Sequence, residues 1–200
     1  TVSAGNVSGQ HVFDTNYYSL YGSGLELIDL TITGGKCLGS GCTYPSGILA
    51  YGVPLAITNC VITGNVGGGI YYSGEFAGVT YTFTITNSSI SNHVGNGLTV
   101  WEGIVLIHDS QITNNRVGIG SNAGDITITN STVSNNGAGV YFDPSSPPYP
   151  TIRVIDSTFS NNSPSGGIDN YKGTIIVMNS HFEGNSWRAI DNWFGQLTVL

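Results

Sequence analysis

The sequence predicts an all-β solenoid, a parallel β-helix of about seven to eight coils, each with about 22 residues and three short strands. Three observations lead there. One short word recurs along the chain. Apolar residues fall into fixed columns around it. Polarity is carried by Asn, Ser, Thr and 29 glycines, with only 8% charged residues.

The word appears as LELIDLTITGG, LAITNCVITGN, FTITNSSISNH, VLIHDSQITNN, ITITNSTVSNN, IRVIDSTFSNN and IIVMNSHFEGN. Its anchors are Asp29, Asn59, Asn87, Asp109, Asn130, Asp156 and Asn179, spaced 30, 28, 22, 21, 26 and 23 residues apart. The longer spacings mark insertions, at 35–47, 71–81 and 141–150.

The first strand of each unit precedes the anchor. Four residues before it stand Leu25, Leu55, Phe83, Val105, Ile126, Ile152 and Ile175, and two before it Leu27, Ile57, Ile85, Ile107, Ile128, Val154 and Val177. The second strand follows, with Ile32, Ile62, Ile90, Ile112, Val133, Phe159 and Phe182 three residues after the anchor. The third begins after small residues, with Ile48, Ile70, Leu98, Ile119, Val140, Ile168 and Ile190. Alternation with period 2 reads as strand. Leucine-rich repeats need a helical side that is absent, and propeller blades need about twice this length. Glycine and β-branched residues argue against helices.

The corners explain the asparagines. Asn tolerates left-handed backbone and hydrogen-bonds locally. Stacked about 4.8 Å apart, amides on successive coils can bond along the column. Consecutive anchors never pair Asp with Asp. Cys60 shares its column with Ser88, Ser110, Ser131, Ser157 and Ser180, and so reads as a structural thiol.

These units resemble the right-handed parallel β-helix repeats of the pectate-lyase superfamily. The words GGI at Gly166–Ile168 and FxxN at Phe159–Asn162 and Phe182–Asn185 are similar to repeats of bacterial polymorphic outer-membrane proteins and related surface β-helix proteins. The opening VSGQHVFDTNYYSLYGSGLELIDLTITGG is similar to the first coils of that group. The resemblance implies a right-handed, single-stranded β-helix over almost the whole chain. It implies little about activity, because this fold carries lyases, hydrolases, epimerases, adhesins and passengers alike.

Bulk properties exclude several functions. A net charge of −7, from twelve acids and five bases, leaves no phosphate-binding footprint, so no nucleic-acid partner is expected. No apolar run approaches the roughly eighteen residues of a membrane helix. Three Trp, eleven Tyr and seven Phe argue against disorder. KCLGSGCTY holds Cys37 and Cys42, read either as a disulfide across a Gly-Ser-Gly loop or as two loop thiols. Sequons at Asn6, Asn87, Asn130 and Asn161, with the disulfide, point to a secreted or cell-surface glycoprotein, although so Asn-rich a chain can carry sequons by chance. TVSAGNVSG shows no leader pattern, and GQLTVL stops mid-coil with Leu197 and Val199 in the inward columns. The expectation is one domain, 1–200, that is a fragment of a longer chain or stacks end to end on another copy.

Candidate chemistry lies on the rare residues. Asp169 and Asp191, in GIDNYKG and WRAIDNWFG, should stack on adjacent coils with Lys172 and Arg188 nearby. Stacked carboxylates repel unless they share a proton, bind a cation or pair with bases. The resemblance implies calcium on Asp169 and Asp191 with Lys172 or Arg188 as base, a hydrolase would use the pair as acid and base, and a salt-bridge cluster is the plain alternative. The outward aromatics Tyr51, Trp101, Tyr141, Tyr171 and Trp193 are candidates for stacking on sugar rings or for packing under loops. His11, His93, His108 and His181 show no metal spacing, and an ice-binding Thr ladder is interrupted at His108. The function expected is a non-catalytic, secreted or cell-surface module with a structural, adhesive or glycan-contacting role. The alternative is a polysaccharide lyase or glycoside hydrolase acting on an acidic polysaccharide.

Overall fold

A computed structural model of the chain describes residues 1–3, 11–15, 24–36, 46–144, 147 and 149–200. Among them are three eight-stranded sheets, every pairing within them parallel, and one two-stranded antiparallel hairpin. Sheet I runs from Leu25–Ile28 to Gln196–Val199, sheet II from Val2–Ser3 to His181–Glu183, and sheet III from Phe13–Thr15 to Ile190–Asn192. Each strand pairs with the equivalent strand one coil before and one coil after, which makes a parallel β-helix. Asn6, Cys37 and Cys42 lie outside the described residues, as does most of 35–47.

The columns of the sequence are the columns of the structure. Leu55, Phe83, Val105, Ile126, Ile152 and Ile175 pair in unbroken register through sheet I. Ile62, Ile90, Ile112, Val133 and Phe159 do so in sheet II. With Ile70, Leu98, Ile119 and Val140 of sheet III they form one buried cluster that fills the coil interior. Each such side chain contributes about 2 kcal/mol by leaving water.

Two corners per coil turn through left-handed backbone. All seven anchors have φ between 46° and 55°. Five residues later, Gly34, Gly64, Asn92, Asn114, Asn135, Asn161 and Gly184 again have positive φ, from 55° to 76°. These are the residue types that visit this region at least cost.

Beside each corner runs a polar ladder. At the first, the N–H of Ser88 donates to Oγ of Ser110, that of Ser110 to Oγ of Ser131, and that of Ser131 to Oγ of Ser157, at 3.0 to 3.1 Å. Each of these hydroxyls also donates to the carbonyl two residues back. Cys60 occupies the same column, and its Sγ donates to Thr58 O at 3.2 Å. At the second corner, Asn115, Asn136, Asn162 and Asn185 form a ladder of amides: each of the first three donates from Nδ2 to Oδ1 of the next, at 2.9 to 3.1 Å. Their Nδ2 groups also bond Ile90 O, Ile112 O, Val133 O and Phe159 O, so breaks in the backbone ladder are closed by side chains.

Glycines let the coils approach. A Cβ on Gly139 would stand 2.3 Å from Gly167 O.

The insertions are shorter than the spacings suggested, because sheet III strands extend into them. Tyr71–Ser73 belong to the strand Gly68–Ser73, Tyr141 and Phe142 to Val140–Phe142, and Ser46 and Gly47 to Ser46–Tyr51. The segment after Ser73 forms the hairpin Glu75–Phe76 with Val79–Thr80, turned by Ala77 (φ 52°) and Gly78 (φ 78°). The insertions at 71–81 and 141–150 follow sheet III strands, whereas 35–47 precedes one. The hairpin after Ser73 and the segment after Phe142 therefore leave from the same edge of sheet III.

Candidate functional site

The outward side of sheet III carries two rows of residues. The first is Leu49, Tyr71, Thr99, Gly120, Tyr141, Asp169 and Asp191, in continuous register. The second, two positions on, is Tyr51, Ser73, Trp101, Asn122, Asp143, Tyr171 and Trp193, held by backbone bonds such as Tyr171 N–H to Phe142 O and Trp193 N–H to Asn170 O. Strand alternation sets the first row outward, and the second, which from Trp101 onward lies just past the strand ends, meets it at Tyr141, Asp143, Asp169, Tyr171, Asp191 and Trp193.

A trough runs along this wall. Its C-terminal half, of about 530 Å³, is lined by Tyr141, Asp143, Asp169, Tyr171, Asp191 and Trp193, with Trp187, Pro164 and Ser165 on its border. The adjoining half, of about 850 Å³, is lined mainly by Asn, Gly and Ser and by Arg116, and shares Tyr141, Pro164 and Ser165 with the first. Tyr141, Tyr171 and Trp193 are about half exposed, and Trp187 is 74% exposed.

Asp169 stands directly opposite Asp191. Asp191 is 8% exposed and well partnered: Arg188 Nη1 bonds its Oδ1, and Trp187 Nε1 donates to its Oδ2 at 3.3 Å. Burial pushes its pKa up, but hydrogen bonds from Trp193, Arg188 and Trp187, with the Arg188 charge, outweigh it and hold the carboxyl below the ordinary Asp value. Asp169 moves the other way. Burial raises its pKa, and the charges of Asp191 and Asp143 add to that against a smaller pull from Arg188. Tyr141 is raised by burial and by Asp143 and Asp169, and its hydroxyl donates to Asp143 Oδ2 at 3.5 Å.

Lys172 forms no ion pair with the carboxylates. Its ammonium lies over the rings of Tyr171, at 5.2 Å, and Tyr149, at 5.6 Å. Gly173, with φ 110°, turns the chain there, so Lys172 faces the inserted loop rather than the acidic pair. The guanidinium of Arg188, besides bonding Asp191, stacks over Trp187 at 5.5 Å. With one carboxylate committed to a guanidinium and an indole, Asp169 and Asp191 are a poor donor set for calcium, which takes six to eight oxygens. Among the described residues no three His, Cys, Asp or Glu side chains are grouped to hold a metal ion.

Of the five aromatic candidates, Tyr141, Tyr171 and Trp193 come together in the trough, while Tyr51 and Trp101 share its second row but do not line it. Asn87, Asn130 and Asn161 are exposed, each at a left-handed corner. Column reading missed two members of the site. Asp143 was legible, since it shares a row with Trp101, Tyr171 and Trp193. Trp187 was not, because it sits in a corner at φ 67°, outside any strand period.

His93 lies in the buried amide ladder, where neighbouring coils have Asn. The N–H of Asn65 donates to its Nδ1 at 3.1 Å, and its own N–H donates to Asn115 Oδ1 at 3.1 Å. Burial lowers its pKa to about 4, against an opposing pull from the Asn65 and Ile62 backbone groups.

Three stacked parallel sheets with laddered corners define a parallel β-helix repeat protein. The chain belongs to the right-handed β-helix family, whose model matches residues 19–187. No curated protein and no solved structure matches it. The family defines a scaffold, and function must be argued from the site.

Proposed function

We propose that the protein is a non-catalytic, secreted or cell-surface β-helix module that contacts a glycan through the trough on sheet III. The observation that carries this is the set of exposed rings, Tyr141, Tyr171, Trp187 and Trp193, gathered in one trough. Flat aromatic faces with few rotatable bonds suit the apolar C–H faces of sugar rings, and the flanking carboxylates and amides suit hydroxyls. The stacked, laddered coils supply a rigid wall. The test is titration of tryptophan fluorescence with oligosaccharides. A saturable change that Trp193→Ala weakens at least about ten-fold is expected. No saturable change with any oligosaccharide would remove this function.

One observation favours glycoside hydrolysis as a second function: Asp169 and Asp191 are neighbours whose acidities are pushed in opposite directions. Such a divided pair can supply a proton donor and an ionised carboxylate. The Arg188 and Trp187 bonds to Asp191 count against it as a free nucleophile or base. Release of reducing ends that stops in both Asp169→Asn and Asp191→Asn would establish hydrolysis in place of simple contact.

A further inference from the structure

Charge in the trough is one-sided. Asp143, Asp169 and Asp191 all line its C-terminal half. Among the described residues the ion pairs are Arg188–Asp191 and His181–Glu183, so Asp143 and Asp169 form no direct ion pair, although Asp169 feels the Arg188 charge more weakly than its acidic neighbours. Lys172, the nearest lysine in sequence, is held over Tyr149 and Tyr171. Arg116 borders only the adjoining half. The acidic end therefore combines two carboxylates outside any ion pair with exposed rings, of which Tyr171 and Trp187 already lie under Lys172 and Arg188, while Tyr141 and Trp193 carry no such cation among the described residues.

That combination has a definite complement. A cation placed over Trp or Tyr faces is drawn by their quadrupole, and more so when a carboxylate is close. A ligand carboxylate would meet the opposite situation, a further like charge beside Asp143 and Asp169. We propose that the acidic end of the trough selects a polymer of amino sugars bearing free ammonium groups, and that it discriminates against uronate polymers. This selectivity rests on the glycan-contacting function proposed above.

The shape favours a sugar chain over a basic peptide. Tyr171 and Trp193 occupy one row on successive coils, roughly 4.8 Å apart in backbone. They offer rings in sequence along an open trough. The adjoining half continues with uncharged Asn, Ser and Gly, suited to sugar hydroxyls.

The test uses four probes of matched length at slightly acidic pH and low salt: glucosamine oligomers, N-acetylglucosamine oligomers, galacturonate oligomers and oligolysine. Glucosamine oligomers should bind at least about five-fold tighter than their acetylated counterparts, the scale of one partly exposed ion pair. Galacturonate oligomers should bind weakest of the sugars. The double change Asp143→Asn with Asp169→Asn should erase the preference for ammonium, so that the acetylated and ammonium oligomers bind equally, and added salt should do the same. Equal binding of acetylated and ammonium sugars, or tight binding of galacturonate, would overturn the selectivity. Tighter binding of oligolysine than of any sugar would overturn it in favour of a basic peptide. If all three sugars bind alike and Trp193→Ala abolishes binding, glycan contact stands and only the selectivity falls. If no sugar binds, both fall.

Discussion

The backbone N–H of Asn65 donates to Nδ1 of His93 across one coil, in a column that continues as Asn115, Asn136, Asn162 and Asn185. Accepting at Nδ1 puts the ring proton on Nε2, which is buried and makes no well-formed hydrogen bond, while the Ile62 backbone still pulls on the ring. A Cβ on Gly69 would lie 2.6 Å from Nε2, so this glycine leaves room for the ring. The imidazole thus performs half the work of an amide.

This makes the ladder acid-sensitive at one rung. The pKa of His93 is lowered from 6.5 to about 4 on folding. Between those values the unfolded chain carries the proton and the folded one does not. Stability from this group is complete above pH 6.5 and is lost as pH falls toward about 4. The loss should be on the order of 3 kcal/mol. Chemical denaturation at pH 7 and pH 4 should show His93→Asn losing less stability on acidification than the parent protein by about that amount. Equal losses would mean that the ring is solvated.

Asparagines of two kinds should behave differently. Asn136 is 2% exposed and bonds Asn115, Ile112 O and Asn162. Asn136→Ala leaves several buried groups unpaired and should cost about 3 kcal/mol or more. Asn130 is exposed at φ 48°, with one amide bond to Asp109. Asn130→Ala should cost about 1 kcal/mol, and Asn130→Gly less, because glycine accepts that backbone. Denaturant midpoints of the three variants check the order.

Close approach of coils is testable at two glycines. The Cβ of Gly139→Ala would meet a carbonyl oxygen, Gly167 O, at 2.3 Å, and the backbone cannot step aside alone. That change should cost about 2 kcal/mol or more. In Gly120→Ala the nearest atom is Nδ2 of the Asn96 side chain, at 2.7 Å, which can swing away. Its cost should stay under about 1 kcal/mol. Thermal unfolding of both would show whether carbonyl crowding sets the spacing.

Removing one of the stacked carboxylates should stabilise the protein at neutral pH. The pKa of Asp169 is raised above 3.8 by burial and by Asp191 and Asp143. The folded state therefore holds this proton more tightly than the unfolded one, and stability declines as pH rises through that window. Asp169→Asn should unfold at a slightly higher temperature than the parent at pH 7, by less than about 1 kcal/mol in free energy. The difference should shrink as the pH is brought below about 4.

The coil architecture was readable because alternation and the left-handed corners leave a strong mark: all seven Asn and Asp anchors are at positive φ. The pairing of Asp169 with Asp191 followed from the same register. Direction within corners did not. Lys172 is three residues after Asp169, yet the turn at Gly173 carries its ammonium to Tyr149, on a loop 23 residues earlier in the chain. Trp187 likewise reaches Asp191 from a corner, and no strand period describes it. The role of His93 was partly legible, since it stands six residues after Asn87, where other units place Asn115, Asn136, Asn162 and Asn185. Its burial and its orphaned nitrogen were visible only in three dimensions.

Seven times the chain passes from one left-handed corner to the next in five residues, while the distance from coil to coil varies between 21 and 30. The corner between sheets I and II acts as a ruler, with its ladder fixing each coil against the next. Extra length sits on either side of sheet III: before it, in the 14-residue step from Gly34 to Ile48, and past it, in the hairpin after Ser73 and the loop after Phe142. New segments grafted there would leave the stack undisturbed and would hang beside the trough. The scaffold thus has one corner that keeps time and two flanks of sheet III that are free to vary, and only these flanks can be reshaped for a new ligand without refolding the rest.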